Sequence, residues 1–171
     1  MTVYHGSTYL FEEIDVRKGK PYKDFGRGFY VTRESSHAIN LAIRNRQLEN
    51  KYKRDCEAYL YTYTMNTSNM ALFKVKEFKT ADLEWLKFVI ANRKKKERTH
   101  GYDIVMGPTA NDETMAAINV YLDGLYGEID SDDALFTLLK FIKPDVLPNQ
   151  IYFATNEATS ILLPTKEVEI L

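Results

Sequence analysis

Residues 24–32 (DFGRGFYVT) constrain the fold more than any other part of the sequence. Gly26 and Gly28 stand one residue apart, and glycines allow the backbone to approach another part of the molecule closely. Phe29–Thr32 then has the aromatic and β-branched side chains that are typical of a short buried strand. Arg27 lies between the glycines, so the loop fits either a tight turn before a core strand or a cradle for a phosphorylated ligand.

Size and charge set the broad class of protein. A length of 171 residues suits one domain with a substantial core, which we expect to span residues 1–171. Hydrophobic residues make up 44% of the chain and charged residues 27%, as in an ordinary globular protein. The formal net charge is −1, so no overall field attracts the chain to nucleic acid or to a membrane surface.

Cysteine usage and hydropathy bear on the compartment. Cys56 is the one cysteine, so no disulfide can form within the chain, which suits a reducing environment. The first residues run directly into a strand-like segment, without the charged and apolar regions of a signal peptide. No window approaches the roughly 20 apolar residues of a membrane-spanning helix. These features predict a cytoplasmic protein.

Hydrophobic periodicity predicts a mixture of strands and helices. Helices are expected at 34–50, at 81–93 with Thr80 as N-cap, after Asn111 and after Ser131, the last one ending at Pro144. Strands are expected at 1–5, 29–32, 57–65, 71–78, 102–106, 149–155 and 166–171, and a turn or short helix at 157–163.

Two of these segments carry specific packing expectations. The first helix has an apolar stripe, and it is closed by the cations Lys51, Lys53 and Arg54, which suit the helix dipole. The stripe consists of Ala38, Leu41, Ala42 and Leu48. Residues 57–65 alternate in polarity, which predicts a half-buried strand that forms a hairpin or near-hairpin with 71–78. Because strands and helices do not follow strict βαβ order, we expect an α+β fold with a mostly antiparallel sheet.

Two runs of cations admit more than one interpretation. Residues 8–27 form a long connection that is either a solvated loop or an electropositive mouth for an anionic ligand. Its cations are Arg17, Lys18, Lys20, Lys23 and Arg27. The run 94–98 (KKKER) is better explained as a solvated loop than as a nucleic-acid patch, because no aromatic residues interleave with its charges.

Common catalytic and cofactor motifs are absent. The sequence has neither the GxGxxG pattern nor the GxxxxGK[ST] phosphate loop. His5, His37, His100 and Cys56 lack the spacing of metal ligands, so no metal is expected. Several polar residues flank glycines or predicted elements, and caps, turns and ion pairs explain them more simply than a target site. They are Asp24, Asn92, Arg93, Asp103, Asn111 and Asp112.

Five separated segments together resemble a known family. They are Tyr4–Ser7 (YHGS), residues 24–32 (DFGxGFYxT), a helix with Trp85, Tyr102–Pro108 (YDIVxGP) and Asn149–Phe153 (NQIxF). This order is similar to a bacterial family of unknown function in the ADP-ribosyltransferase superfamily, in the branch of diphtheria toxin and the poly(ADP-ribose) polymerases. The resemblance covers nearly the whole chain.

The resemblance implies a fold and a substrate. The fold would be two split antiparallel half-sheets with surrounding helices and an NAD cleft between the half-sheets. NAD would be the substrate, and no metal would be needed. His5 would bond a ribose hydroxyl, the Gly6 backbone would hold the nicotinamide carboxamide, and Tyr30 would pack on the nicotinamide ring. Gln150 would reach a hydroxyl of the nicotinamide ribose.

The resemblance also implies the remaining site residues. His5, Tyr30 and Gln150 would form the catalytic set. Ser7, Arg27 and Gly28 would join His5, Gly6 and Tyr30 in binding the cofactor.

The sequence departs from the superfamily pattern at two places. Gln150 stands where the superfamily usually has a glutamate, and an amide can hydrogen-bond but brings no charge to a developing cation. The polymerases also have a second tyrosine on the helix after the first. Here that segment contains Ser36, His37, Ala38 and Leu41.

Several functions therefore remain as expectations. The first is transfer of a single ADP-ribose to an unknown acceptor, protein or nucleic acid, in the role of the toxin of a toxin–antitoxin pair with an antitoxin protein as partner. The alternatives are NAD or ADP-ribose binding without catalysis, weak NAD hydrolysis, and an interaction protein whose cleft is inactive. Modification of nucleic acid would depend on the two basic runs.

Overall fold

The computed structural model describes residues 1–52, 55–142, 147–165 and 168–171. Within these ranges the protein has an α+β fold, as the sequence predicts. The strands are β1 (Thr2–Ser7), β2 (Phe29–Thr32), β3 (Tyr59–Met65), β4 (Val75–Glu77), β5 (Ile104–Pro108), β6 (Asn149–Phe153), β7 (Leu162–Pro164) and β8 (Glu169–Ile170). The helices are α1 (Ser35–Lys51), α2 (Leu83–Arg93), α3 (Asp112–Leu122), α4 (Asp132–Leu139) and α5 (Asn156–Thr159). Short 3-10 helices lie at Val16–Lys18 and Thr67–Leu72.

The strands form one hydrogen-bonded sheet in the order β4-β5-β6-β2-β1-β3-β7, with β8 also paired to β3. The pairings between described strands are antiparallel except for the parallel pair β4–β5, which confirms the mostly antiparallel sheet.

The sheet is weakly joined at its centre. β1 and β3 pair over six residues, and β2 and β6 pair over four. Between these two well-paired parts, β1 and β2 share a single registered pair, Tyr4 with Thr32. The two strands therefore diverge beyond that pair, on the side of His5 and Tyr30.

Two hydrophobic clusters cover the two faces of the sheet. α2, α3 and α4 pack on one face, where Phe25, Val105 and Tyr152 are buried. The other face buries Val3 and Phe29 with the alternating tyrosines of β3 and with Ile151 and Phe153 of β6. Because successive residues of a strand point to opposite faces, the alternation in the sequence assigns each side chain to one of these clusters.

The predicted hairpin between 57–65 and 71–78 is wrong. Residues 67–72 form a 3-10 helix, and β4 pairs in parallel with β5 at the opposite end of the sheet. Asp103 fixes this arrangement, because its carboxylate accepts from the Lys74 N–H at 3.0 Å while its own N–H donates to the Lys74 carbonyl at 2.8 Å. Since β1, β7 and β8 pair with β3, its edges are already occupied.

β3 itself is more buried than its alternation suggests. Leu60 and Thr62 on one side are buried as well as Tyr61 and Tyr63 on the other. α1 lies against the Leu60 side, so the strand is covered on both faces instead of being half-buried.

Helix positions are confirmed more closely than helix faces. The Asn111 and Ser131 side chains cap α3 and α4 as expected, but α2 is capped by Asp82 and not by Thr80. In α1 only part of the expected stripe is buried, because Leu41 and Leu48 face solvent while Ala38 and Ala42 pack on the sheet.

The end of the chain also differs from the sequence-based prediction. The segment 157–163 contains the expected short helix, but it also supplies the start of β7, which was not predicted. The described part of the strand expected at 166–171 is β8. The expected roles of Lys53, Arg54, Pro144 and Lys166 lie outside the described residues.

None of the helices in the described ranges combines the length and the apolar character needed to cross a membrane.

Candidate functional site

Asp24 is the centre of a buried polar network. Its Oδ1 accepts from Arg93 Nε at 2.7 Å and from Arg93 Nη2 at 2.5 Å. Its Oδ2 accepts from the Ala110 N–H at 3.0 Å and from Gln150 Nε2 at 2.8 Å. The network thus joins the DFG loop to the end of α2, to the loop after β5 and to the start of β6. The expectation that Asp24 and Arg93 form ion pairs is confirmed.

The DFG loop must lie close to α2 to place Asp24 there. Gly26 has φ +97°, and an added Cβ would lie 2.8 Å from Arg98 Cβ and 3.2 Å from Asn92 Oδ1. Asn92 is itself buried and accepts from the Thr99 N–H at 3.0 Å and the Thr99 hydroxyl at 3.1 Å. A side chain at position 26 would therefore both strain the backbone and push the loop away from α2.

Tyr30 is held by the same loop. Its hydroxyl donates to the Gly26 carbonyl at 2.6 Å and accepts from the Phe25 N–H at 3.2 Å. Its ring lies 5.0 Å from the ring of Tyr152. Burial and then the nearby Asp24 charge raise the pKa of Tyr30 well above its ordinary value, so the phenol stays protonated and does not act as a base near neutral pH.

Gln150 lies on β6, opposite Thr32 on one side and Gly107 on the other. Its Nε2 donates to Asp24 Oδ2 at 2.8 Å and to the Pro108 carbonyl at 3.4 Å. The residue is 9% exposed, and Oε1 has no hydrogen-bond partner among the described residues. The oxygen of this amide is therefore the atom that is left to interact with a ligand.

His5 lies on β1 where β1 and β2 diverge. Its Nδ1 is 2.7 Å from the Tyr30 carbonyl oxygen, and because a carbonyl only accepts, Nδ1 carries the proton. Desolvation lowers the pKa of His5 from 6.5 to about 4, so the imidazole is neutral near neutral pH. Its Nε2 is then a hydrogen-bond acceptor without a partner in the described part of the chain.

The three expected catalytic residues are not all on one face of the sheet. Tyr30 lies opposite Tyr152 and Thr32 opposite Gln150, so Tyr30 and Gln150 share a face. Tyr4 pairs with Thr32 on that face, which sends the next side chain, His5, to the other face. There the imidazole stacks on Phe29 with centroids 4.3 Å apart. His5 is connected to Tyr30 through the Tyr30 backbone carbonyl.

Gly6 and Ser7 have evident structural roles. A Cβ on Gly6 would overlap the Ala38 carbonyl oxygen, so glycine allows α1 to pack directly on β1. The Ser7 hydroxyl accepts from the Tyr9 N–H at 3.0 Å and closes the turn after β1. Both lie on the strand that carries His5.

Arg27 holds the long 8–27 connection in place, and Gly28 allows close packing on β6. Arg27 Nε donates to the Gly19 carbonyl at 3.1 Å, a second nitrogen donates to the Arg17 carbonyl, and Glu97 lies 3.8 Å from the guanidinium. A Cβ on Gly28 would overlap Tyr152 and the Phe153 carbonyl oxygen. The guanidinium of Arg27 thus joins two loops.

His100 is a part of this region that the sequence patterns did not single out. Its Nε2 donates to the Phe25 carbonyl at 2.8 Å, while its Nδ1 accepts from the Tyr102 N–H at 3.2 Å. Burial lowers the pKa of His100 below its ordinary value, in agreement with this neutral tautomer. No spacing rule would have found it, because the partner loop is 75 residues away in sequence.

A metal centre has no support from the described residues. No group of three or more histidine, cysteine, aspartate or glutamate side chains in this part of the chain is arranged to hold an ion. Cys56 is a free, half-buried thiol.

The five sequence segments that resemble one family are thus in contact around Asp24 and Tyr30. A family model described as "Protein of unknown function (DUF3990)" matches residues 1–163, and the chain belongs to that family. No curated protein and no solved structure matches the chain.

Proposed function

We propose that this chain binds NAD where β1 and β2 diverge and transfers a single ADP-ribose from it to an acceptor. The observation that carries the proposal is the state of His5. A neutral imidazole, held through Nδ1 by the Tyr30 carbonyl, offers Nε2 as a fixed acceptor. A ribose hydroxyl is the kind of uncharged donor that such an atom binds.

The other residues receive roles that fit this ligand. Tyr30 would pack on the nicotinamide ring, since its hydroxyl is already used to hold its own loop. Gln150 would accept from a hydroxyl of the nicotinamide ribose through Oε1. Gly6 would hold the carboxamide through its backbone, and Ser7, Arg27 and Gly28 would keep the surrounding turns in place.

The reaction requires orientation more than acid–base chemistry. The bond between ribose C1′ and the nicotinamide nitrogen breaks, and its electron pair neutralises the nicotinamide ring. The cationic sugar then forms a bond to an acceptor, which loses a proton. The protein contributes by fixing the two parts of NAD and by placing acceptors near the developing positive charge.

Nicotinamide release from NAD tests this proposal directly. His5→Asn retains a donor that can reach the Tyr30 carbonyl and removes the outer acceptor. We expect it to lower kcat/KM by about tenfold or more, as for loss of one well-placed polar contact. Lys18→Ala, at an exposed position, is the control. The proposal is wrong if the wild-type protein releases no nicotinamide even with cell lysate as a source of acceptors.

A second candidate, binding of NAD or ADP-ribose without turnover, is favoured by Gln150. Its amide is neutral and its nitrogen is committed to Asp24, so no free carboxylate faces the sugar at this position. Calorimetry that shows NAD binding, together with no nicotinamide release, would favour this candidate. Slow release into water without any acceptor would instead indicate a weak NAD glycohydrolase.

A role as the toxin of a toxin–antitoxin pair is part of the proposal. The acceptor would then be a protein or nucleic acid of the producing cell, and an antitoxin protein would be the partner. Expression of the wild-type chain should slow growth, whereas a His5→Ala/Tyr30→Ala variant should not. Equal growth of the two strains would show that the toxin role is wrong. The enzymatic proposal would then be tested by the nicotinamide assay alone.

A further inference from the structure

We propose that Asp24 is the positioning residue for Gln150, and that it turns the amide so that Oε1 faces the ligand. This inference rests on the proposed function, because it assigns the direction in which Gln150 meets a sugar hydroxyl.

The chemistry of the partners fixes the orientation of the amide. Gln150 lies 2.8 Å from a carboxylate oxygen of Asp24 and 3.4 Å from the Pro108 carbonyl oxygen. Both partners only accept hydrogen bonds when Asp24 is ionised. The NH2 group must therefore point toward them, and the flipped amide would place its oxygen against two other oxygens.

The Asp24 carboxylate is itself fixed in position, so it can determine the orientation of the Gln150 amide. Its side chain is 4% exposed, and Arg93 and the Ala110 N–H occupy other lone pairs of the carboxylate. Two elements that are distant in sequence, α2 and the loop after β5, thus hold the carboxylate independently of Gln150. A charge-assisted bond to such a group is stronger than one between neutral partners.

The same geometry gives a reason for an amide at position 150. A glutamate there would bring a second carboxylate within hydrogen-bond reach of Asp24, and two carboxylates that close cannot both be ionised. Among the described residues, the charged and titratable groups near this position are Asp24 and its neighbour Lys23, Arg93 from α2 and the neutral Tyr30 from β2. Glutamine keeps the bond to Asp24 and still offers an oxygen to the ligand.

The substitution Gln150→Glu tests the inference through its pH profile. When protonated, the new carboxyl can donate to Asp24 and turn its carbonyl oxygen outward, as the amide does. When ionised, it is repelled by Asp24 and this orientation is lost. We therefore expect kcat of the variant, divided by that of the wild type at each pH, to fall about tenfold or more between about pH 5 and pH 8.

The opposite profile would overturn the inference. If the ratio is constant, Asp24 does not control the group at position 150. If the kcat ratio rises with pH, the negative charge of the new carboxylate at position 150 promotes the reaction and its orientation by Asp24 does not. Gln47→Glu is the matched control, because Gln47 is exposed on α1 and the same substitution there should leave the ratio constant.

A second measurement does not depend on activity or on the folding of a variant. The chain has two glutamines, so a 15N label confined to the glutamine side-chain nitrogen gives only the NH2 signals of Gln47 and Gln150. We expect the Gln150 NH2 protons to exchange with water at least about tenfold more slowly than those of exposed Gln47. Equal exchange rates would overturn the inference.

The two measurements separate failure of the inference from failure of the proposed function. If the wild-type protein releases no nicotinamide but Gln150 exchanges slowly, the proposed transferase function is wrong and the Asp24–Gln150 orientation is supported. If nicotinamide is released but Gln150 exchanges as fast as Gln47, the function survives and Asp24 is not its positioning residue.

Discussion

Replacing Arg93 by methionine would remove the cation that pairs with Asp24 while keeping much of the apolar stem. The Asp24 side chain is 4% exposed and the Arg93 side chain 22% exposed, so the pair is largely shielded from water. After the substitution, the carboxylate keeps only the Ala110 N–H and the Gln150 amide as described partners.

The expected cost follows from leaving a buried charge uncompensated. Removing one partner of a buried ion pair costs about 3–5 kcal/mol. A domain of this size loses about 2–4 °C of melting temperature per kcal/mol. We therefore expect the melting temperature of Arg93→Met to fall by about 6–20 °C.

Urea unfolding followed by fluorescence measures this loss. Trp85, the single tryptophan, is fully buried on the same helix as Arg93, and its Nε1 donates to the Pro108 carbonyl at 3.0 Å. Its emission therefore reports on the packing of α2 against the loop that also contacts Asp24. The free energy of unfolding is obtained at pH 7 for the wild type and the variant.

Two further variants decide whether the charge is the cause. Arg44→Met breaks the exposed pair with Asp112, whose side chains are 59% and 78% exposed, and should cost at most about 1 kcal/mol. Adding Asp24→Asn to Arg93→Met removes the orphaned charge and should recover part of the lost stability. A loss below about 1 kcal/mol for Arg93→Met, or no recovery in the double variant, would refute the reasoning.

Three other predictions concern single sites. His5 should titrate with a pKa of about 4 in histidine NMR. Because this pKa lies below the ordinary histidine value, the contribution of His5 to the free energy of unfolding is complete above about pH 6.5 and is lost as the pH falls toward 4. Gly28→Ala should destabilise the protein by about 1–3 kcal/mol or more in urea unfolding, whereas Gly101→Ala, with no atom within 4 Å of the added Cβ, should not. Thr109→Val should be neutral or stabilising in thermal unfolding, because the Thr109 hydroxyl is buried without a partner among the described residues.

Each of these has a contrary outcome. A His5 pKa near 6.5 would mean that the imidazole is not desolvated. Tolerance of Gly28→Ala equal to that of Gly101→Ala would mean that β2 and β6 can separate at Tyr152. A clear loss of stability in Thr109→Val would show that the hydroxyl binds a group such as a water molecule.

Helix caps and strands were predicted correctly where neighbouring residues alone determine them. The caps at Asn111 and Ser131 were correct because each side chain bonds an N–H three residues ahead, which the sequence displays directly. The strand at Phe29–Thr32 was correct for a similar reason, since its residue types alone suit a buried strand. The choice of Thr80 over Asp82 failed because two capping residues stand close together in sequence, and it is the Asp82 side chain that accepts from the Trp85 N–H.

Pairing between strands was predicted poorly. Proximity in sequence suggested a hairpin between 57–65 and 71–78, but the edge of β5 and the Asp103 side chain bind β4 instead. The choice of a partner strand depends on which surfaces become buried together, and that is a property of the assembled sheet.

The residue types of the candidate site, and the order of the segments that carry them, can be identified from the sequence alone. Tertiary structure decided what they contact. Asp24 meets its partners 69, 86 and 126 residues away, and strand alternation places His5 and Gln150 on opposite faces. These relations depend on which residues are buried together, because a buried carboxylate is tolerated only where distant donors converge on it. A sequence motif does not show which distant donors meet around a buried carboxylate.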